Sequence, residues 1–69
     1  MQTAYTYAVI SADNATMNVR ADRLQAFAEL RFWREQFPQS SFALVLETCT
    51  PSGRCTEEFI INFNQPLES

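Results

Sequence analysis

Two cysteines are the residues in this chain with the most reactive side chains. Cys49 and Cys55 are separated by five residues, a spacing that fits neither a C-x-x-C redox motif nor a zinc motif. The 69 residues include no His and no Lys, so the usual groups that activate a thiol are missing. We therefore expect no catalysis, no metal and no other cofactor. Reduced thiols packed within strands are the favoured interpretation, and a cross-strand disulfide is the alternative.

Three glutamates, Glu47, Glu57 and Glu58, lie close to the same cysteines in the sequence. A catalytic carboxylate pair needs an apolar cleft that keeps one acid protonated while the other is ionised. Carboxylates beside a tight turn usually face water instead. We therefore interpret these three glutamates as a solvated surface.

The basic residues are all arginines, and eight acids outnumber these five bases to give a net charge of −3. Several of them share one flank of a predicted helix with two aromatic residues: Arg23, Arg31, Arg34, Phe27 and Phe32. Arginine and aromatic side chains are enriched at the centres of protein interfaces, so we predict that these five residues bind a protein partner. The alternative is that the arginine stems cover the edge of the core and that Arg31 pairs with Glu35.

Other partners are less consistent with the composition. A net negative charge gives little support to non-specific phosphate binding, although a small nucleic-acid-binding domain that uses the same arginines is the second interpretation. The longest apolar run, residues 42–46, is far below the roughly 20 residues that cross a bilayer, so no membrane association is expected. The first residues carry neither a basic segment nor a long apolar one, which predicts a cytoplasmic protein.

The chain pattern predicts four strands and one helix. Residues 4–10 alternate large and small side chains as a strand requires, and turn-forming residues 11–14 lead to a second strand. Asp22 is a good N-cap and Gln25 completes a capping box, so a helix should begin at Arg23 and end near Phe37, before Pro38. The predicted strands after the first are Thr16–Arg20, Phe42–Cys49 and Cys55–Phe63.

The last two strands admit two pairings around the turn of residues 50–54, in which Pro51 and Gly53 favour a reversal of the chain. Burial favours Leu46 opposite Phe59, which also places Leu44 opposite Ile61 and Phe42 opposite Phe63. A three-residue loop instead pairs Cys49 with Cys55 and Glu47 with Glu57. A β-bulge can reconcile the two pairings.

The helix has two apolar stripes at 100° per residue. One stripe contains Ala26, Leu30, Trp33 and Phe37, and the other contains Leu24, Ala28 and Phe32. A single sheet covers only one of them. We expect Trp33 and Phe37 to be buried against the last hairpin. The second stripe is covered by the first strand and its turn, or it meets another chain, and a homodimer is one form of that contact.

Residues 19–24 lead from a strand into the helix, Ala28 follows one turn later, and residues 44–48 lead to the turn at Gly53. In size and element order the chain resembles small phage-encoded anti-CRISPR proteins, which are compact stoichiometric inhibitors of CRISPR effector complexes. The resemblance implies an inhibitor that occupies the surface of a host protein complex. We predict one α+β domain over residues 1–69, with a three- or four-stranded antiparallel sheet and one helix on a face, in the order ββαββ or βαββ.

Overall fold

The fold is a four-stranded antiparallel sheet with one helix across one face, as expected for a small α+β protein. The computed structural model describes residues 2–13 and 15–67. The elements in chain order are β1 (Ala4–Ser11), β2 (Thr16–Arg20), α1 (Arg23–Gln36), β3 (Phe42–Cys49) and β4 (Cys55–Ile61). The strand order in the sheet is β2-β1-β3-β4. The strands before and after α1, which are β2 and β3, are therefore not neighbours, and β1 lies between them.

The strands agree closely with the sequence pattern. β2 and β3 have the expected bounds, β1 is one residue longer, and β4 ends at Ile61 instead of Phe63. Between β1 and β2 the Ser11 N–H donates to the Ala15 carbonyl at 2.9 Å. The Ser11 hydroxyl also donates to the Asp13 carboxylate, and this hydrogen bond lowers the pKa of Asp13. Asn14, the last residue of the expected turn, lies outside the described residues.

Both ends of α1 follow from side-chain and backbone chemistry. The Asp22 carboxylate accepts from the Leu24 N–H at 2.9 Å, which satisfies one of the free donors of the first turn. At the other end the Phe37 N–H donates to the Trp33 carbonyl at 3.0 Å, and Phe37 leaves helical angles just before Pro38. No helix in the described residues is long and apolar enough to cross a membrane.

The last hairpin contains the bulge that the two competing pairings require. Near the turn Cys49 faces Cys55 and Glu47 faces Glu57, whereas deeper in the sheet Leu44 faces Ile61. The register shifts between Leu44 and Val45, so Ile60 is the extra residue. The turn itself is closed by the Gly53 N–H, which donates to the Thr50 carbonyl at 2.9 Å, and Gly53 has the positive φ of 93° that glycine adopts without strain.

The bulge also changes which side of the sheet Phe59 occupies. Phe59 pairs with Val45, and Leu46 pairs with Glu58, so the expected opposition of Leu46 and Phe59 is wrong. Val45 and Phe59 lie on the face of the sheet away from α1 because Leu44, the neighbour of Val45, points toward the helix. Phe59 is consequently half exposed.

The core lies between α1 and one face of the sheet. Six buried side chains form it: Val9, Ala26, Leu30, Phe42, Leu44 and Ile61. Trp33 is half buried and packs against this cluster with its ring centroid 5.9 Å from that of Phe42. Phe37 is 49% exposed, so its expected burial is wrong. As the C-cap, Phe37 has left the helical angles that would have continued the buried stripe.

The other face of the sheet is open. A shallow groove of about 430 Å³ lies there, and strand residues alone line it, including Ala8, Val19, Val45 and Glu47. We call this side the open sheet face. The sheet thus has one face that packs against α1 and one that no other helix or strand of the described residues packs against, although Ala43 and Val45 on that face are buried.

The difference in burial between Leu30 and Phe37 gives a test of this packing. Leu30 is fully buried, so Leu30→Ala should lower the free energy of unfolding by about 2–5 kcal/mol through lost burial and the cavity it leaves. Phe37→Ala removes a half-exposed ring and should cost below about 2 kcal/mol. Urea denaturation followed by tryptophan fluorescence measures both. Equal losses in the two variants would place Phe37 in the core and contradict this packing.

Candidate functional site

The second apolar stripe of α1 faces solvent. Leu24 is 79% exposed and Phe32 is 50% exposed, and Ala28 between them is exposed as well. These side chains lie opposite Ala26 and Leu30, which hold the helix to the sheet. We call Leu24, Ala28 and Phe32, together with Arg23 and Arg31, the outer helix surface. Neither β1 nor its turn covers this stripe, which the sequence left as one of two possibilities.

Two arginines extend the outer helix surface and have no ionic partner among residues 2–13 and 15–67. The salt bridge found there joins Arg20 to Glu29 at 3.0 Å, so the expected pairing of Arg31 with Glu35 is not formed. Arg31 is exposed. Arg23 lies over the Phe27 ring with its guanidinium carbon 5.5 Å from the ring centroid, a cation–π geometry that holds the arginine in place while leaving its N–H groups available.

Phe27 connects this surface to the interior. It is half buried and packs against the core cluster, so it supports Arg23 from beneath. Phe32 contacts the edge of Trp33, with ring centroids 5.5 Å apart and planes at 82°. Because Trp33 itself packs on the core, Phe32 is held by an interior residue although half of its surface is exposed.

Arg34 forms hydrogen bonds within the fold and does not join Arg23 and Arg31 on the outer helix surface. Its guanidinium donates to the carbonyls of Gln65 at 2.8 Å, Phe42 and Asn62 at 3.0 Å, and Phe63 at 3.3 Å. It thereby ties the end of α1 to the start of β3 and to the segment that follows β4. Partial burial lowers the pKa of Arg34 below its ordinary value. The sequence places Arg34 with Arg23 and Arg31, but its donors are used within the fold.

Polar contacts fix the rotation of α1 on the sheet. Arg20 of β2 pairs with Glu29, and the Trp33 indole N–H donates to the Asn18 side chain, also on β2. Both contacts lie on the flank of α1 opposite Arg31. They hold the outer helix surface in one orientation, so the exposed stripe is presented by a rigid element.

The end of the last hairpin departs from the expected thiol chemistry. Cys49 and Cys55 form a disulfide with Cα atoms 4.1 Å apart, so the expected reduced thiols are corrected. The reason is the register: the two residues are directly opposite, and their side chains emerge on the same face of the sheet. The pairing set by a three-residue loop places Cys49 opposite Cys55, whereas the pairing favoured by burial does not.

Glu47 approaches the same cysteines. Its carboxylate and the two sulfurs lie within 4.8 Å of one another. Glu47 precedes Cys49 by two residues and therefore shares its face of β3, and Glu57 holds the matching position on β4. The pairing set by a three-residue loop predicts this proximity. Glu57 is exposed, as expected of a solvated glutamate, whereas Glu47 is half buried.

One further concavity lies at the other end of the molecule. A groove of about 570 Å³ between the β1–β2 connection and the end of α1 has Met17, Trp33, Phe37 and Phe42 among its lining residues. Its polar lining comes from Ser11, Asp13 and the segment before β3. Among the described residues that line it there are serine hydroxyls and the Asp13 carboxylate, but no cysteine and no second carboxylate.

Comparison of the chain with protein-family models, with curated proteins and with solved structures finds no match. The candidate surfaces are therefore judged on their own geometry.

The hydrogen bonds of Arg34 predict a structural role that can be separated from a binding role. Arg34→Ala should lower the free energy of unfolding by about 2–3 kcal/mol, because it removes a charged donor from several carbonyl groups. Arg31→Ala, a matched change on the exposed surface, should alter stability by about 0.5 kcal/mol or less. Thermal melts followed by circular dichroism compare the two. A stable Arg34→Ala variant would show that these bonds add nothing to the fold.

The disulfide should stabilise the fold without taking part in the outer helix surface. Cys49→Ser combined with Cys55→Ser should lower the free energy of unfolding by about 2 kcal/mol, the value expected for so short a loop. Partner capture by the folded variant should be unchanged, because the cysteines lie on the face of the sheet opposite α1. Lost capture by a variant that remains folded would move the binding site to the hairpin.

Proposed function

We propose that this protein is a non-catalytic binding module whose outer helix surface docks on another protein. The observation that carries the proposal is an exposed apolar stripe, Leu24, Ala28 and Phe32, beside two arginines without ionic partners in the described residues. Large apolar side chains aligned on one exposed element are typical of docking surfaces, and arginine and aromatic residues supply most of the binding energy in such interfaces.

The chemistry of the surface indicates the kind of partner it fits. An apolar groove or flat patch would cover Leu24 and Phe32, and carboxylates at its rim would receive Arg23 and Arg31. Guanidinium groups bind carboxylates with two parallel hydrogen bonds. Glu35 also lies on the exposed side of α1, so the partner's acidic groups should lie toward the first half of the helix, where Arg23 is.

Contacts within the fold hold part of this surface in place. Arg23 rests on Phe27, and α1 is locked to β2 by Arg20, Glu29 and Trp33. Side chains that are already ordered lose little conformational entropy on binding, which raises affinity for a given contact area. This property suits a small protein that acts by occupying a partner's surface.

Stoichiometric inhibition is the specific form of this function that we propose. A phage-encoded inhibitor of a host protein complex, as implied by the resemblance to anti-CRISPR proteins, needs a compact fold, one presented surface and no catalytic group. The protein would then act in the cytoplasm of the host cell. In the cytoplasm Cys49 and Cys55 would be in the reduced form, because cytosolic thiols are kept reduced.

Charge reversal on the outer helix surface tests the docking proposal. Arg23→Glu with Arg31→Glu should weaken binding of a captured partner about tenfold or more, equivalent to about 1.4 kcal/mol, while leaving the melting temperature close to that of the wild type. The partner is first captured from a nuclease-treated bacterial host lysate and identified by mass spectrometry. Its affinity for each variant is then measured by titration calorimetry with the purified partner.

Glu57→Arg with Glu58→Arg is the control, since it reverses two charges at the far end of the sheet. It should leave the affinity within about threefold of the wild-type value, less than about 1 kcal/mol. A loss in the control equal to or larger than that in the arginine variant would move the site to the hairpin. Binding that disappears with nuclease treatment would favour nucleic acid as the ligand, and a mass that doubles with concentration would favour a homodimer.

A further inference from the structure

The end of the β3–β4 hairpin brings together four side chains with metal-binding atoms. Cys49 faces Cys55 and Glu47 faces Glu57 in the antiparallel pairing. Within each strand the cysteine and the glutamate are two residues apart, so all four side chains emerge on the open sheet face. The set therefore contains two sulfurs and two carboxylates on one side of a rigid two-stranded ribbon.

The distances suit a small divalent cation. The sulfurs of Cys49 and Cys55 and a carboxylate oxygen of Glu47 lie within 4.8 Å of one another. Ligands of a tetrahedral zinc ion at bond lengths of about 2.0–2.3 Å are separated by about 3.3–3.8 Å. Breaking the disulfide frees the two sulfurs to separate to that spacing, and the Glu47 carboxylate is the third ligand nearby.

A second observation also favours a cation here. Glu47 and Glu57 are directly opposite on adjacent strands, an arrangement in which like charges destabilise a sheet. Within residues 2–13 and 15–67 neither carboxylate has a basic partner, since the salt bridge found there joins Arg20 and Glu29. A bound divalent cation would neutralise the repulsion that the fold otherwise leaves in place.

We propose that the reduced hairpin binds one thiophilic divalent cation, zinc being the fitting example, through Cys49, Cys55 and Glu47 with Glu57 in the fourth position. The disulfide is then the metal-free state and the dithiol is the metal-binding state. Thiolate sulfur selects zinc over the hard cations calcium and magnesium, and carboxylates complete a tetrahedral set. This site is independent of the outer helix surface, which lies on the other side of the molecule.

The conversion between the two states is a thiol–disulfide exchange followed by metal binding. A dithiol reductant attacks one protein sulfur through its thiolate, and the Cys49–Cys55 bond breaks as a mixed disulfide forms. The second thiol of the reductant, as its thiolate, then attacks the reductant's own sulfur in the mixed disulfide and displaces the protein sulfur held there. The reductant leaves as a cyclic disulfide and the protein gains two thiols. Binding of the cation by both sulfurs releases their two protons.

Cobalt(II) is the probe for the test, because its visible spectrum distinguishes tetrahedral thiolate ligation from the hydrated ion. The full chain is reduced with a phosphine, desalted without oxygen and titrated with cobalt(II). One ion per chain with a tetrahedral thiolate spectrum, displaced by zinc, is the expected result. The oxidised chain should leave the spectrum of hydrated cobalt(II) unchanged, and an identical response of both forms would overturn the proposal.

Two matched glutamate variants test the carboxylate ligand. Glu47→Gln should weaken cobalt(II) binding about tenfold, or about 1.4 kcal/mol. Glu58→Gln removes the same charge from a residue that pairs with Leu46 and therefore lies on the opposite face, so it should leave the affinity nearly unchanged. Equal effects of the two variants would indicate general electrostatics and overturn the role of Glu47. Half an ion per chain would place the ligands on two chains and overturn the site as proposed.

Reduction itself weakens the fold, so near-ultraviolet circular dichroism of the tryptophan is recorded during the titration. If reduction lowers that signal, saturating cobalt(II) should restore it, because metal binding to the folded hairpin stabilises the fold. A folded reduced chain that binds no cobalt(II), or a loosened chain that saturating cobalt(II) does not restore, would overturn the proposal.

Discussion

The packing of one helix on one face of a four-stranded sheet is the constraint from which the other features of this protein follow. The fold places Ala26 and Leu30 against Val9, Phe42 and Leu44, and a helix of 14 residues has no further layer to pack against. The contact between α1 and the sheet buries one side of the helix and one of the two faces of the sheet. The outer helix surface and the open sheet face are therefore both exposed as a consequence of size.

These two exposed surfaces have different chemistry, which is why they suit different roles. The outer helix surface combines apolar side chains with arginines and is held rigidly by contacts to β2, so it suits a protein partner. The open sheet face carries its polar groups at one end, where Glu47, Glu57 and the two cysteines meet. Small proteins bury a smaller share of their surface than large ones, so exposed faces of this kind are available for interactions.

Much of the fold was predictable because its signals are local. The N-cap at Asp22, the break before Pro38 and the positive φ of Gly53 each depend on a few neighbouring residues. The bulge in the last hairpin was foreseeable as a conflict between loop length and burial, but its position at Ile60 depends on packing against the helix. The bulge at Ile60 places Phe59 on the open sheet face. No local sequence pattern predicts the position of the bulge.

The functional residues were predictable only in part, for a related reason. Helical periodicity placed Arg23, Arg31 and Arg34 on one flank, but it does not reveal that the segment after β4 offers its carbonyls to Arg34. Periodicity also separated Leu24, Ala28 and Phe32 from the core stripe, and their exposure required the structure. The pairing of Cys49 with Cys55 needed the register of two strands, which a burial argument assigned differently.

The proposed function places all contact with a protein partner on the outer helix surface and on no other part of the chain. Site-specific photocrosslinking in host cells tests this claim directly, with Ala28 replaced in one experiment and Val19, on the open sheet face, in another by a photoreactive phenylalanine derivative. The predicted result is a discrete crosslinked protein from position 28 and none from position 19. Crosslinks from position 19 alone, or equal crosslinks from both positions, would contradict it.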